Sequence, residues 1–445
     1  MGLTDKEKLY ISNESNTVIT LIKEFKNIAK FTILIALAGI PLVFLPLGKE
    51  FDHFYLPKVV AMFILVFSFL SLFILNFKNV GKIIENDWID KSLLIYFFLL
   101  IISVFFADNF YLAIFGSVDR LEGIITISMY MILFLIARYC SKTNDKFYLI
   151  ILLTAILVSI YGIFQHFGLD PFIRDAIRTN WGYRSFSTMG NPNFLGTYLV
   201  LMIPISIYFF IIRKLKTGLL FYSILLYCLL CTSTRGSWLG SIASMVSFSS
   251  LHYYFYKIKK DELNRYIILL FLSIIIVLLY DFQTQGELLN RFLSITNDAR
   301  ILLTNGENSD YTGAHRGFIW KRVVELIKNR PIFGYGIENL GITFEKYYQK
   351  DMIGLWGNVI NVDRAHNEYL HIAVSSGIPS LIAYLTFLTL ILKNGLCKIR
   401  HDKYMLLLIS SIIGYLVAAF FNISVVSVVY VYWIFLGLIA TKVIN

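Results

Sequence analysis

Long apolar stretches alternate with short polar ones along this chain. The apolar runs fall near 31–47, 59–77, 92–107, 121–137, 147–164, 194–212, 218–232, 237–256, 266–280, 369–392, 404–421 and 424–441. A stretch such as "VVAMFILVFSFLSLFILNF" (59–77) is long enough to cross a ~30 Å hydrocarbon core as one helix. The pattern predicts an all-α, polytopic membrane protein of about 12 spans. Apolarity is nearly continuous from Tyr404 to Thr441 and is best cut at "FNIS" (421–424), predicting two helices joined by a tight turn. One segment breaks the rhythm. Residues 281–368 are polar, and within them "HRGFIWKRVVELIKNR" (315–330) spaces Phe318, Ile319, Val323, Val324 and Ile327 mostly as a helix does, before Pro331 ends it. That predicts an amphipathic helix lying on the membrane–water boundary. "ENLGITFEKYY" (338–348) predicts a second, shorter helix. No soluble second domain, repeat or low-complexity tract appears, so residues 1–445 read as one integral membrane domain.

Composition agrees with the pattern. Apolar residues make up 57% of the chain and charged ones 16%, against about 25% charged in ordinary soluble domains. Residues 1–30 are polar and mixed in charge, which predicts a cytoplasmic N-terminal segment without a cleavable signal peptide. Cys228 and Cys231 have C-x-x-C spacing, but inside an apolar helix they read as small packing residues, and no structural disulfide is expected.

Charge sets the orientation. With the N-terminus inside, the inner connections collect lysine-rich clusters such as Lys142 and Lys146, Lys257 to Lys260, and Lys398 to Lys403. This is the positive-inside pattern, with both termini cytoplasmic and 281–368 outside. The net charge of +11 is then a topological signal plus contact with anionic lipid, and no nucleic-acid partner is implied. The outward face is different in kind. Its cations are mostly arginines, among them Arg120, Arg184, Arg235, Arg291, Arg316 and Arg364. Guanidinium groups bind phosphate in a bidentate way that lysine does not copy. Each arginine taken singly also fits pairing with a loop acid such as Asp298 or Glu325; the set points to a phosphate site.

Within that set Arg235 stands out. "TSTRGSWLG" (232–240) separates two apolar runs, and no Asp or Glu occurs between Asp175 and Asp261. A charged side chain beside a bilayer is a functional-site hypothesis by default, and its counter-ion is either a distant carboxylate or a ligand. The second cluster is "VDRAHNEYLHIAVSSGIPSLIAYL" (362–385), where Asp363, Arg364, His366, Asn367 and Glu368 crowd the start of a span. Histidine suits proton transfer near neutral pH, although a hydrogen-bonded interfacial role is the plainer alternative. His366 and His371 are five positions apart and fall on different helix faces, so no metal pair is expected. "GYGIEN" (334–339) lacks the lysine and preceding strand of a nucleotide loop and reads as a turn. Neither a metal nor a nucleotide cofactor is predicted.

These elements together resemble the bacterial O-antigen ligase / O-antigen polymerase family. "TSTRGSWLG" resembles its Arg-x-x-x-Leu element and "RAHNEYLHIAVSSG" its His-Asn…Leu…Gly element. "HRGFIWKRVVELIKNRPIFGYGIENL" resembles its loop helix and following Pro-x-x-Gly-x-Gly turn, and "GNPNFLGTYL" (190–199) and "GSVDRLEGIIT" (116–126) also recur in such proteins. The resemblance implies a metal-independent, GT-C-type glycosyltransferase of the cytoplasmic (inner) membrane with an outward-facing active site. Its donor would be a glycan on undecaprenyl diphosphate. Its acceptor would be a hydroxyl on a glycolipid, a glycan, a cell-wall polymer or a protein. Ligase, chain polymerase and protein O-oligosaccharyltransferase share these motifs; a flippase or transporter of lipid-linked glycans is the alternative from another class. By motif, Arg235 and Arg316 are expected to bind diphosphate and His366 to act as base. Arg364, Arg120 and Arg184 are weaker additions by position and charge, with Glu368 next in line as base. Asp363 and Glu368 would raise the proton affinity of His366 and Arg364 would lower it, so transfer is expected to fall on acidification near the ordinary value of about 6.5.

Overall fold

The computed structural model describes residues 5–45, 54–75, 87–172, 181–303, 310 and 312–441, and among these there are helices and turns but no strand. Every apolar run carries a helix: Asp5–Gly39, Tyr55–Leu75, Trp88–Val104, Ile124–Arg138, Asp145–His166, Pro192–Ile211, Lys216–Cys231, Arg235–Tyr256, Lys260–Gln283, Ile378–Lys398, Tyr404–Ala419 and Val429–Ile439. Among the described residues, six helices are long and apolar enough to cross a membrane by length and composition, and four further apolar ones are shorter. The chain is a multi-pass membrane protein.

Burial sorts these helices. The apolar window of Pro192–Ile211 is 100% buried, whereas that of Lys260–Gln283 is only 17% buried. A helix apolar all round belongs either in a core or in lipid; here the first is the hub and the second faces outward. The helix that begins at Arg235 lies along Tyr404–Ala419. Their crossing depends on two glycines. A Cβ on Gly240 would sit 2.7 Å from the Gly414 carbonyl oxygen, and one on Gly414 would sit 2.8 Å from that of Gly240. Small residues at a crossing let membrane helices approach backbone to backbone.

Three expectations need correction. The break near "FNIS" is not a tight turn: helix stops at Ala419 and resumes at Val429, so a longer connection places Asn422 inside the protein. The run 369–392 is two helices, Glu368–Ser376 and Ile378–Lys398. Gly377 parts them at φ +89°, and a Cβ there would meet the Ile332 carbonyl oxygen at 1.9 Å. The apolar stripe of the amphipathic helix, Thr312–Asn329, was expected to face a membrane boundary, and it packs on protein instead. Phe318, Val323 and Leu326 are buried in a second small core with Tyr335, Leu340 and Phe344. Amphipathicity reveals that a face will be covered, not whether lipid or protein covers it.

The polar segment thus folds as a helical cap. Its helices are Glu287–Leu303, which the apolar pattern did not reveal, then Thr312–Asn329 and Leu340–Trp356. The last is longer than predicted and kinks at Tyr348. The turn after Pro331 runs beside the Gly377 break. Tyr335 N donates to Val374 O (2.9 Å), Gly336 N to Ser375 O (2.8 Å) and Ile378 N to Pro331 O (2.7 Å).

Candidate functional site

Where the cap meets the bundle, a cavity of about 190 Å³ is lined by four arginines: Arg184, Arg235, Arg291 and Arg316. Arg235 and Arg316, far apart in sequence, therefore meet, and so does Arg184. Asn193, Ser233, Ser237 and Asn422 complete its polar wall. Arg235 is the first residue of its helix, with Thr234 as N-cap but no capping side-chain bond. A cation at a helix N-terminus sits at the positive end of the helix dipole, the wrong end for stability. An anion placed there would sit at the favourable end of the same dipole.

Local bonds aim these arginines. Arg235 Nη1 donates to Ser294 Oγ at 2.7 Å, which ties the arginine helix to the cap. Arg184 Nε donates to Thr232 O at 3.0 Å, and its guanidinium lies 5.7 Å from the Trp181 ring centroid. Burial, and next the nearby charge of Arg291, lowers Arg184 to about 10. Arg291 pairs with Glu287 at 2.7 Å and contacts Ser233 O at 3.4 Å. The backbone is left-handed at Ser233 (φ +50°), His315 (φ +66°) and His366 (φ +50°). These residues are two before Arg235, next to Arg316, and the candidate base itself. Non-glycine residues in that region are uncommon and gather at sites where geometry outweighs strain.

His366 lies just before the helix Glu368–Ser376 and does not line the arginine cavity. Trp320 Nε1 donates to Ala365 O at 2.9 Å, so the loop helix that carries Arg316 also holds the histidine segment. Asn367 then caps the helix Glu368–Ser376, its side chain accepting from Leu370 N at 3.0 Å. His366 Nδ1 is buried without a hydrogen-bond partner. Burial first, and Arg316 second, depress the imidazole to about 4, outweighing Asp363. The expected value near 6.5 is thus corrected downward: the histidine is neutral and able to accept a proton well into the acid range.

The weaker candidates go elsewhere. Arg120 Nε pairs with Asp363 at 2.8 Å, and these two charges satisfy one another beside His366. Burial tends to raise the Asp363 carboxyl, but Arg120 and Arg364 hold it below the usual range. Arg364 is 2% exposed and ion-paired with Glu338. Glu368 is buried, accepting from Tyr384 Oη at 3.0 Å and Tyr415 Oη at 3.2 Å. None of Arg120, Arg364 and Glu368 lines the arginine cavity. Sequence reasoning passed over Arg291, Asn193 and Asn422 as site residues. Asn193 lies within the "GNPNFLGTYL" element, which could have drawn attention to it. Asn422 Nδ2 donates to Asn193 O (3.0 Å) and Thr197 Oγ1 (2.7 Å), leaving its Oδ1 buried and unbonded. Among the described residues no group of three or more His, Cys, Asp or Glu side chains could hold a metal ion.

Residues 220–385 match the family model described as O-antigen ligase. The matched stretch contains Arg235, Arg291, Arg316, Arg364, His366 and Glu368. That stretch of the chain is similar to the O-antigen ligase family. A comparison with curated proteins finds no match.

Proposed function

Taking that family region as the premise, we propose that the protein transfers a glycan from undecaprenyl diphosphate to an acceptor hydroxyl, without a metal ion, at the outer face of the cytoplasmic membrane. The observation that carries this reading is the meeting of Arg235 and Arg316, with Arg184 and Arg291, on one cavity at a helix N-terminus. A diphosphate is already an activated leaving group. It gathers negative charge as the sugar–phosphate bond breaks, and fixed cations aimed there stabilise the transition state. Arginine supplies what a divalent ion supplies elsewhere.

His366 is the base in this reading. It is neutral over the working pH range, close to Arg316, and held by Trp320 through Ala365. It takes the proton of the acceptor hydroxyl as that oxygen attacks the anomeric carbon. The lysine-rich connections support placing the cap and cavity outside.

The test incubates the purified protein in lipid nanodiscs with a lipid-diphosphate glycan and candidate hydroxyl acceptors, in the presence of chelator and without nucleotide. Covalent transfer with release of lipid diphosphate supports the proposal. Vectorial movement of intact donor without bond cleavage would overturn it in favour of a flippase. The product distinguishes ligase, chain polymerase and protein glycosyltransferase.

A further inference from the structure

The helix Glu287–Leu303 is built the opposite way to its neighbour in the cap. Its side toward the protein is largely polar. Arg291 Nη1 approaches Ser233 O at 3.4 Å, and Ser294 Oγ accepts from Arg235 Nη1 at 2.7 Å. Leu288, half-buried, packs against the core of the bundle. Its outward side is apolar. Leu289, Phe292 and Leu293 are 53%, 44% and 54% exposed. At about 3.6 residues per turn they form one stripe on the side away from Arg291 and Ser294. An ordinary surface helix turns such a stripe inward. Single exposed leucines need no explanation, whereas a contiguous apolar surface marks a place that something covers.

What adjoins the stripe is the end of a membrane span. Lys260–Gln283 is long and apolar enough to cross a membrane, and its apolar window is only 17% buried. Leu278, Leu279 and Phe282 stand exposed in its last two turns. A three-residue turn follows, where left-handed Gln285 (φ +55°) and Gly286 (φ +83°) break the helix axis. Asp281 ties the two helices together. Its carbonyl accepts from Gly286 N at 2.9 Å and its carboxylate from Leu289 N at 3.0 Å. The stripe therefore begins one hydrogen bond away from the last turn of the span. Lipid that covers the exposed face of the span reaches the stripe without a break.

We propose that Glu287–Leu303 is an interfacial helix, seated in the leaflet on the cap side with Leu289, Phe292 and Leu293 among the upper acyl carbons. A helix of this kind sinks its apolar face about 5–10 Å into the boundary between headgroups and chains. The role that the sequence suggested for Thr312–Asn329 falls to this helix. Arg291 precedes Phe292 in sequence and lines the arginine cavity, so the seat holds one wall of that cavity at the depth of the lipid headgroups. This is independent of the reaction that the cavity serves.

The test places a nitroxide at Leu289→Cys, Phe292→Cys or Asn290→Cys in the full chain carrying Cys397→Ser, since the other three native cysteines are buried. Asn290 is exposed and polar, and serves as the control. In nanodiscs, collision with oxygen, which concentrates in lipid, is compared with collision with a water-soluble nickel chelate. The expected oxygen-to-nickel ratio is several-fold higher for the Leu289 and Phe292 labels than for the Asn290 label. Equal ratios would put the stripe in water and overturn the seat. Protection of the stripe from both reagents would overturn it as well, because protein (a second copy or a partner) then covers it. A label-free measurement guards against a disturbed fold. Phe292→Trp, in nanodiscs of lipid brominated high on the acyl chain, should be quenched beyond the background of the six native tryptophans. Quenching no greater than that of wild type would equally reject the interfacial helix.

Discussion

Two buried polar regions are opposite in sign. Among the described residues, the wall of the arginine cavity carries four guanidinium groups and no carboxylate. A cavity of about 90 Å³ beneath the cap gathers three carboxyl groups, Glu122, Glu338 and Glu368, and one arginine, Arg364. Both were written in the sequence with the same residue type, since Arg235, Arg316 and Arg364 are all arginines on the same face. What separates them is the partner. Arg364 finds Glu338 at the Gly-rich turn and is sealed at 2% exposure, so its charge is spent on holding the cap. Arg235 donates to a hydroxyl of the cap, Ser294, and it lines the cavity beside Arg184, Arg291 and Arg316.

The largest effect should come from the cavity. Arg235→Ala and Arg316→Ala should each lower kcat by about 10²–10³, the loss typical for a donor aimed at a developing oxyanion. Both should melt like wild type. Arg235→Lys should stay well below wild type, because a point charge does not reproduce the fork; full activity in that variant would show that charge alone suffices. His366→Ala should lose about 10²–10⁴ in turnover while still binding the lipid donor, as measured by ligand-dependent thermal shift. Loss of binding would move the histidine into the anion site.

The pH profile sharpens the same contrast. His366 must be neutral to accept a proton, and burial with Arg316 depresses it to about 4. The acid limb of kcat/KM should therefore lie near that value, with activity kept at pH 5.5–6 where an ordinary histidine would be largely protonated. Bound diphosphate stabilises the imidazolium, so the limb of kcat should lie higher than that of kcat/KM. Coincident limbs near 6.5 would mean that the histidine is not the base.

Breaking the Glu338–Arg364 pair should act on stability. Glu338→Gln leaves the Arg364 guanidinium buried without its counter-charge, a defect of about 3–5 kcal/mol, read as a lowered melting temperature. The charge-free pair Glu338→Gln/Arg364→Met should recover most of it. A smaller loss, about 1 kcal/mol, is expected for Trp320→Phe, which removes the bond to Ala365 O. Chelator should have the least effect: transfer should persist in its excess, and loss restored by magnesium would point to Asp363 as a ligand.

The helices were legible because membrane spans are the strongest periodic signal a sequence carries, and each apolar run has its helix. Glu287–Leu303 was not, since a helix in a polar segment lacks that signal. The burial of Phe318 and Val323 shows the same limit from another side: the apolar stripe was visible, its covering was not. For the site, "TSTRGSWLG" and "HRGFIW" marked Arg235 and Arg316 by residue type and motif. Motif alone did not distinguish the sealed Arg364 from the open Arg184, because each depends on which distant segment arrives beside it. The surroundings of His366 were hidden for the same reason: burial of the ring and the arrival of Arg316 from the loop helix depress it, while Asp363 and Glu368, its near acids in sequence, are engaged by Arg120 and by tyrosines.

The three backbone bonds between 331–336 and 374–378 have a consequence for how such a protein diversifies. They close residues 337–373 at the base, so the entropy of closure depends only weakly on how much chain lies between. Within that stretch the helix Leu340–Trp356 lies between the turn and the His366 segment, so lengthening it alone would leave the closure, Arg235 and His366 where they are.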